Sequence, residues 1–347
     1  MELQFMKQPA LDPVLMICPH CQEETRIGIH SIHARRYRCH ACGHTFAETK
    51  GTVFFGCHYP IWLITVVVTL LAFGCPPAAL VAAFFLDERT ISAWHHKAGR
   101  HAKGVQETRV CQGAVELGQV QADEICVTTQ RGKVWMATAL SVFPRLFLWG
   151  EVSAHRDRPL IERVMEKVRQ AAAALPHAVL FAVDGFSAYP KAILRTFYTP
   201  LHTGKPGRPR HLPWPNLHIV QVVKSRSGRK LKEITRRLVH GSLDRVYEVI
   251  ACSQGDLGWF NTAYIERLNA TFRARMASLV RRTRSLARTI QHLEYELFWS
   301  GVVYNFCTAH DTLEGTPAMA AGLTDHVWSI QELLFLKLPH KPLHGVL

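Results

Sequence analysis

The sequence predicts an α/β protein whose largest domain carries a mixed sheet and is preceded by a small cysteine-rich domain and a helical domain. Two CxxC pairs lie near the N-terminus, helical patterns fill residues 59 to 103, and strands alternate with helices from about residue 117. A chain of 347 residues with 48% hydrophobic residues can form two or three domains with proper cores. We place the domain boundaries at 14–56, 57–110 and 115–310, with a C-terminal tail over 311–347.

The first domain is defined by cysteine spacing. Cys18 and Cys21 form one CxxC pair and Cys39 and Cys42 the other, with seventeen residues between the pairs. This spacing is typical of one structural Zn²⁺ held by four thiolates, and YRCHACGHTF resembles the second hairpin of a zinc ribbon. The neighbouring histidines remain alternative ligands at this stage: His20, His40 and His44.

Three helices are predicted between residues 59 and 103. The first is the apolar run Ile61 to Phe73, the second begins at Pro76-Pro77, and the third follows the N-cap candidate Asp87. Two short helices with a tight joint, the second basic at its end, favour a helix-turn-helix over a plain helical bundle. The residues expected to contact DNA in that interpretation include Arg89, Thr90, Ser92 and Lys97.

From residue 117 the pattern predicts three antiparallel strands, a helix, a strand and a further helix. The segments are LGQVQADEICVTT, RGKVWMATALSVF and RLFLWGEVS, then DRPLIERVMEKVRQAAAAL, AVLFAVDG and SAYPKAILRTF. This order is that of a ribonuclease H-like fold. Residues near 199–260 interrupt it as a basic insertion, with a turn predicted at Ser227-Gly228.

The insertion opens with TPLHTGKPGRPRHLPWPN, which is rich in proline, glycine and basic residues and predicts an exposed loop. Its KPGRPR stretch resembles an AT-hook core, in which arginines enter a narrow minor groove. A basic surface loop is the simpler interpretation. Under either one, Arg208 and Arg210 are candidate DNA contacts.

Three carboxylates stand where a ribonuclease H-like sheet would bring them together. Asp123 lies within the first strand, Asp184 ends the fourth, and Glu266 opens an arginine-rich helix in NTAYIERLNATFRARM. Glu124 is expected on the opposite face of the strand from Asp123. In-line phosphodiester transfer uses two divalent ions held by carboxylate oxygens, so the sequence predicts two Mg²⁺ or Mn²⁺ ions.

The helix around Glu266 carries further candidates for binding phosphate. Asn269 and Arg273 share its face at helical spacing, and Arg281 and Arg282 follow downstream. The formal charge of +14 favours a polyanionic partner. The apolar run at 61–73 is too short to span a bilayer, and no secretion signal is visible, so the ten cysteines are expected to be reduced in the cytoplasm.

Six segments together resemble the DDE transposases of bacterial insertion sequences that carry an N-terminal zinc ribbon and helix-turn-helix. They are YRCHACGHTF, LDERTISAW, QADEI, VDGFSAYP, NTAYIERLNATFRARM and YNFC, and the resemblance spans roughly residues 15 to 310. It implies a metal-dependent recombinase, associated with the bacterial nucleoid, that cuts at terminal inverted repeats and joins the 3′-hydroxyls to target DNA. It also implies a homo-oligomer in a synaptic complex, with Asp123, Asp184 and Glu266 as metal ligands.

Two alternatives stay open. About 80 residues separate Asp184 from Glu266, which leaves Glu248 and Asp256 as other candidates for the third carboxylate. A DNA-binding regulator without strand-transfer activity, or a structure-specific nuclease with the same carboxylates, would also use a zinc ribbon and this fold.

Overall fold

The computed structural model describes residues 11–13, 16–173, 177–202, 209–228, 230–254, 259–281 and 283–338. Over these residues the chain forms two compact units, a smaller one within Met1–Leu70 and Ser329–Leu347 and a larger one within Leu71–Trp328. The strands are β1 Ile27–Ser31, β2 Arg36–Cys39, β3 Thr45–Ala47, β4 Gln119–Thr129, β5 Gly132–Ser141, β6 Leu146–Ser153, β7 Val179–Asp184, β8 Tyr198–Leu201, β9 Arg210–Pro213, β10 Leu217–Ser227 and β11 Lys230–His240. The α-helices are α1 Ile61–Ala72, α2 Pro77–Phe84, α3 Glu88–Val105, α4 Arg158–Ala171, α5 Ala188–Thr196, α6 Leu243–Gln254, α7 Ala263–Arg275, α8 Ile290–Val302, α9 Pro317–Ala320 and α10 Ile330–Phe335.

The smaller unit is built around a three-stranded antiparallel sheet in the order β1-β2-β3. Its core joins two cysteines to the ring pair Tyr37 and Phe46, whose centroids are 5.9 Å apart. A core this small buries little apolar surface, so a bound ion would contribute much of its stability.

The larger unit contains a six-stranded mixed sheet in the order β11-β10-β7-β4-β5-β6. β4, β5 and β6 form an antiparallel meander, whereas β7 is parallel to both β4 and β10. The predicted mixed α/β class is therefore confirmed.

Helices cover both faces of this sheet. On one face α5 brings the hydroxyl of Tyr189 to Glu124, and α4 packs against α5. On the other face α7 brings Asn269 to Asp123, and α8 packs against α3 and β6. Asp123 and Glu124 thus face opposite layers, as strand alternation requires.

The register of the central strands positions the first two predicted carboxylates. Ala122 of β4 pairs with Val183 of β7. The next residue of each strand, Asp123 and Asp184, therefore lies beside the other on the face covered by α7. Gln121 fixes α7 against this strand: its Oε1 accepts from the backbone N–H of Ile265 at 3.0 Å.

Two segments differ from the sequence-based expectation, whereas the arginine-rich helix ends close to where its sequence pattern ends. The basic stretch after Ser227-Gly228 forms the edge strand β11, because Ile234 and Leu238 on one of its faces pack against the apolar core under α6. The expected loop carries the short hairpin β8–β9, while 203–208 lie outside the described residues. The arginine-rich helix ends at Arg275, so Arg281 lies in the irregular segment that leads to α8.

Within the described part of the chain, no helix combines the length and the apolar character needed to cross a bilayer.

Candidate metal-binding carboxylate cleft

A cleft of about 900 Å³ opens at the carboxyl end of β7, beside the middle of β4. Asp123, Asp184 and Glu266 all line it, although they lie far apart in sequence. The cleft also takes side chains from β10 and from the loop after β6. The three carboxylates selected from the sequence therefore share one cavity.

Asp123 and Asp184 form the centre of the acidic group. Oxygen atoms of Asp123, Glu124 and Asp184 lie within 4.8 Å of one another. The Oδ1 of Asp184 accepts from the backbone N–H of Phe186 at 2.8 Å, and the Oδ2 of Asp123 accepts from the Asn269 amide at 2.9 Å. Each aspartate is thus oriented by one donor at short distance, and the second oxygen of Asp184 faces the Arg156 guanidinium at 3.5 Å.

Glu124 is the member of this group that the sequence analysis left out. Its buried carboxylate accepts from the Tyr189 hydroxyl at 2.7 Å and from the Arg156 Nε at 2.5 Å. It approaches the aspartates from the α5 side because β7 ends at Asp184 and leaves the sheet edge open. The sequence signal for Glu124 was its position next to Asp123.

Arg156 links two of these acids across the cleft. Its guanidinium pairs with Glu124 and reaches Asp184 at 3.5 Å, and it lies over the rings of Phe186 and Trp135. Arg156 stands in the loop after β6, a position for which the sequence offered no signal. It supplies positive charge at the mouth of an acidic site.

Glu266 lies in the first turn of α7 on the opposite wall. Its carboxylate accepts from the Thr262 hydroxyl at 2.7 Å and forms an ion pair with Lys224 of β10. It does not belong to the group that brings Asp123, Glu124 and Asp184 together. Glu266 therefore lines the cleft, and its carboxylate is paired with a lysine.

Two neighbours of Glu266 on α7 take different roles. Asn269 is buried, where it accepts from Thr138 at 3.2 Å and donates to Asp123. Arg273 is exposed and lines the cleft. Asn269 is thus placed to orient a carboxylate, while Arg273 is available to a phosphate.

The electrostatics of the group favour a bound cation. Burial, together with the nearby Asp184 carboxylate, raises the pKa of Asp123 to about 6. Burial and the same aspartate raise the pKa of Glu124 to about 7, despite the donors Tyr189 and Arg156. Both shifts arise first from burial and then from the closeness of the carboxylates, and a hard divalent cation with oxygen ligands would offset both effects.

A second group of ligands lies in the smaller unit. The four sulfur atoms of Cys18, Cys21, Cys39 and Cys42 lie within 4.8 Å of one another, with Cys18 to Cys42 and Cys21 to Cys39 each at 3.6 Å. A tetrahedral site with Zn–S bonds of about 2.3 Å has sulfur–sulfur distances of about 3.8 Å. The predicted cysteine cluster that could hold a metal ion is therefore present.

The backbone of the second CxxC pair is shaped for ligation. Burial raises the pKa of the Cys39 thiol, but hydrogen bonds from the backbone N–H groups of Cys42 and Ala41 outweigh it, and the pKa is lowered to about 7. Gly43 adopts φ 77°, a left-handed conformation that glycine takes without strain. Among the described residues this group contains cysteines alone, while His20 and His44 stack on each other with centroids 4.4 Å apart.

The remaining DNA-contact candidates lie outside the cleft. Arg89 is exposed next to the N-cap Asp87 of α3, whereas Thr90, Ser92 and Lys97 are half-buried along that helix. Arg210 of β9 and Arg281 are exposed. Arg208, Arg282 and the alternative acid Asp256 lie outside the described residues, as does most of KPGRPR.

Glu248, the other alternative for the third carboxylate, is placed elsewhere. It pairs with Arg245 on α6 at 2.6 Å and lines a different cavity, beside Gly118 and His177 at the amino ends of β4 and β7. Of the predicted third-ligand candidates among the described residues, Glu266 lines the cleft and Glu248 does not, while Glu124 lies with the two aspartates.

No protein-family model matches this chain, and a comparison with curated proteins finds no match either.

Proposed function

We propose that this protein is a DNA transposase of the DDE type, which cuts and joins phosphodiester bonds at the carboxylate cleft. The observation that carries the proposal is the placement of Asp123 and Asp184 on adjacent parallel strands, with Glu124 and Glu266 in reach of the same cavity. The order of the six strands supports a ribonuclease H-like domain, with β11 as an added edge strand.

The donor set fits Mg²⁺ or Mn²⁺, because it consists of carboxylate oxygens on regular elements, the strands β4 and β7 and the helix α7. Asp123 and Asp184 would hold two such ions, with Glu266 or Glu124 as a third ligand. When bound, the ions supply a nucleophile and stabilise the charge on the attacking and leaving oxygens. A single zinc ion on the four cysteines would complete the smaller unit.

The chain's own residues bind and orient the DNA strand. Arg273 lines the cleft and offers planar donors to a phosphate, since a guanidinium contacts phosphate in a bidentate manner, whereas Arg156 is held by Glu124 and Asp184. Asn269 keeps one oxygen of Asp123 turned into the cleft. Lys224 forms an ion pair with Glu266 beside the reacting strand.

The partners follow from this activity. The net charge of +14 and the exposed arginines on α3, β9 and α7 support contacts with element ends and target DNA. Because both ends of an element are cut together, the active form would be a homo-oligomer.

The test uses purified protein, Mn²⁺ and duplex DNA that carries the inverted repeats flanking the gene. Wild type should nick the DNA at the repeat ends and join the resulting 3′-hydroxyl to a second duplex. Asp184→Asn should abolish both steps and still bind the DNA. Cleavage without joining would favour a nuclease, and end binding without any cleavage would favour a regulator.

A further inference from the structure

The hairpin of β10 and β11 begins beside the cleft and extends beyond the end of β7, its neighbour in the sheet. Strand β7 pairs with β10 only from Leu217 to Val222, which lies opposite Asp184. Beyond that point β10 continues through Ser227, and its neighbour is β11 alone. The outer half of the hairpin, Val223–Thr235, is therefore a two-stranded ribbon, and we call it the β10–β11 ribbon.

The ribbon is anchored at its base and exposed towards its tip. At the base, Ile234 packs against the apolar core that includes Val220, Val222 and Val246. Towards the tip, Ser225, Lys230 and Lys232 are exposed. The hairpin thus has a rigid support and a projecting part that packs little apolar surface of its own.

The ribbon is strongly basic. Its thirteen positions hold five basic residues and a single acidic one, Glu233. The ion pairs of the described residues include Lys224 with Glu266 but none that involves Lys230 or Lys232. Positive charge without acidic partners on a projecting element favours a polyanion.

The position of the ribbon selects duplex DNA among polyanions. Val223 and Lys224 belong both to the ribbon and to the wall of the carboxylate cleft. A strand whose phosphate lies at Asp123 and Asp184 would continue past this wall. The major groove of B-form DNA admits a two-stranded β-ribbon, and phosphates flank that groove on both sides.

We propose that the β10–β11 ribbon is a DNA-binding arm that engages the groove and backbone of the duplex next to the reacting phosphate. This inference rests on the proposed function, because the cleft defines where the duplex runs. In this proposal the edge strand β11 binds substrate DNA in addition to completing the edge of the sheet.

A different role of the same lysines is to protect an edge strand. Charged residues on an exposed edge prevent it from pairing with a second chain. The two roles differ in their consequence: loss of edge protection produces self-association, whereas loss of a DNA arm weakens DNA binding.

The experiment compares two full-length variants that remove two charges each. The ribbon variant is Lys230→Gln with Lys232→Gln. The control variant is Arg195→Gln with Arg245→Gln, at exposed positions on α5 and α6, where Arg245 lies at the opposite end of the sheet beside Gly118 and His177. Circular dichroism first establishes that both variants are folded, and light scattering measures whether either one self-associates more than wild type.

Binding is measured by fluorescence anisotropy on a labelled duplex of arbitrary sequence, over a series of salt concentrations and with no divalent metal added. The ribbon variant should bind several-fold more weakly than the control variant at low salt. Its plot of log affinity against log salt should lose about 2 units of slope, since each lost phosphate contact removes about 0.9. The same labelled strand without its complement should show a smaller loss.

Equal affinities and slopes for the two variants would overturn the proposal. So would an equal loss on single-stranded DNA, which would mean that no duplex groove is engaged, or self-association of the ribbon variant with unchanged affinity, which would assign the lysines to edge protection. Because this assay contains no catalytic metal, its result is independent of whether Asp184→Asn abolishes cleavage, and the two proposals can fail separately.

Discussion

At the scale of single residues, side-chain contacts rather than strand register distinguish Glu124 from Glu266 as the third carboxylate ligand of a metal. Asp123 and Asp184 are fixed on neighbouring strands, and Glu124 lies with them. Glu266 faces the same cleft but is held by Lys224 and Thr262. Metal binding in the absence of DNA should therefore depend more on Glu124 than on Glu266.

This expectation is tested by titrating Mn²⁺ into the free protein in a calorimeter. Glu124→Gln should weaken binding about tenfold or more, which is the scale on which metal sites respond to loss of a supporting carboxylate. Glu266→Gln should change the affinity less than about twofold. A larger loss for Glu266→Gln would mean that this glutamate leaves Lys224 and joins the aspartates when metal binds.

The sequence could predict the two aspartates but not the residues that hold them. Asp123 and Asp184 were identifiable because an acid in or after an apolar strand is costly without a ligand. Arg156 and Lys224 gave no such signal, because exposed basic residues are common in a chain of this charge. Their roles depend on which loops meet at the sheet edge, and only the fold determines that.

At the scale of elements, the packing of α3 on α8 buries a group of histidines. His95 is buried, and its ring lies 6.0 Å from that of His292, which in turn contacts His96 at 2.9 Å. Burial and the neighbouring histidines lower the pKa of His95 to about 3, well below its unfolded value of about 6.5. The folded protein therefore excludes a proton that the unfolded chain accepts.

The sign of the pH effect follows from that difference. The stability associated with neutral His95 is complete above about pH 6.5 and is lost progressively as the pH falls towards the folded value. Between pH 7 and pH 5, wild type should lose about 2 kcal/mol more free energy of unfolding than His95→Gln, as measured by urea denaturation. The control variant His155→Gln, at an exposed histidine, should show the same pH dependence of the free energy of unfolding as wild type. If His155→Gln and His95→Gln show the same pH dependence, His95 is not the group responsible.

The four-cysteine cluster of the smaller unit could hold a metal ion, and we expect its hairpins to depend on zinc. Full-length protein should release one zinc ion per chain to a chelator, with a loss of the structure around β1 to β3, because the four thiolates would otherwise lie unneutralised against a small core. Cys39→Ser should abolish zinc binding and lower the melting temperature of this unit. Cys126→Ser, at an exposed cysteine of β4, is the matched control and should bind zinc as wild type does. Retention of a full zinc equivalent by Cys39→Ser would contradict the assignment.

At the scale of the whole molecule, the sequence predicted the order of the central elements and the meeting of the three carboxylates in one cleft, but not the contacts of the edge strand β11. The meander β4–β6, the parallel strand β7 and the cysteine cluster follow from alternation, turn residues and spacing. Strand β11 was missed because its apolar residues, Ile234 and Leu238, are interrupted by lysines and arginines that are exposed on the edge. Its pairing with β10 depends on a core that the local sequence does not reveal.

The same reasoning applies to the arginine-rich segment after Glu266. The sequence pattern placed the helix within NTAYIERLNATFRARM, and it ends at Arg275, but the pattern did not show that the following residues contact α8. Buried contacts set this end, since Ser278 donates to the buried Glu296 of α8 and thereby redirects the chain. The arginines consequently lie on two different elements rather than on one continuous basic face.

The central claim is that Asp123 and Asp184 together hold the catalytic metal. Its most direct test is a crystal of the full-length protein soaked in Mn²⁺, with anomalous scattering used to locate the ion. We predict an anomalous peak in the cleft, with carboxylate oxygens of both aspartates as ligands, and no such peak in a crystal of Asp184→Asn. A well-occupied Mn²⁺ site elsewhere with an empty cleft, or an unchanged peak in the variant, would contradict the account.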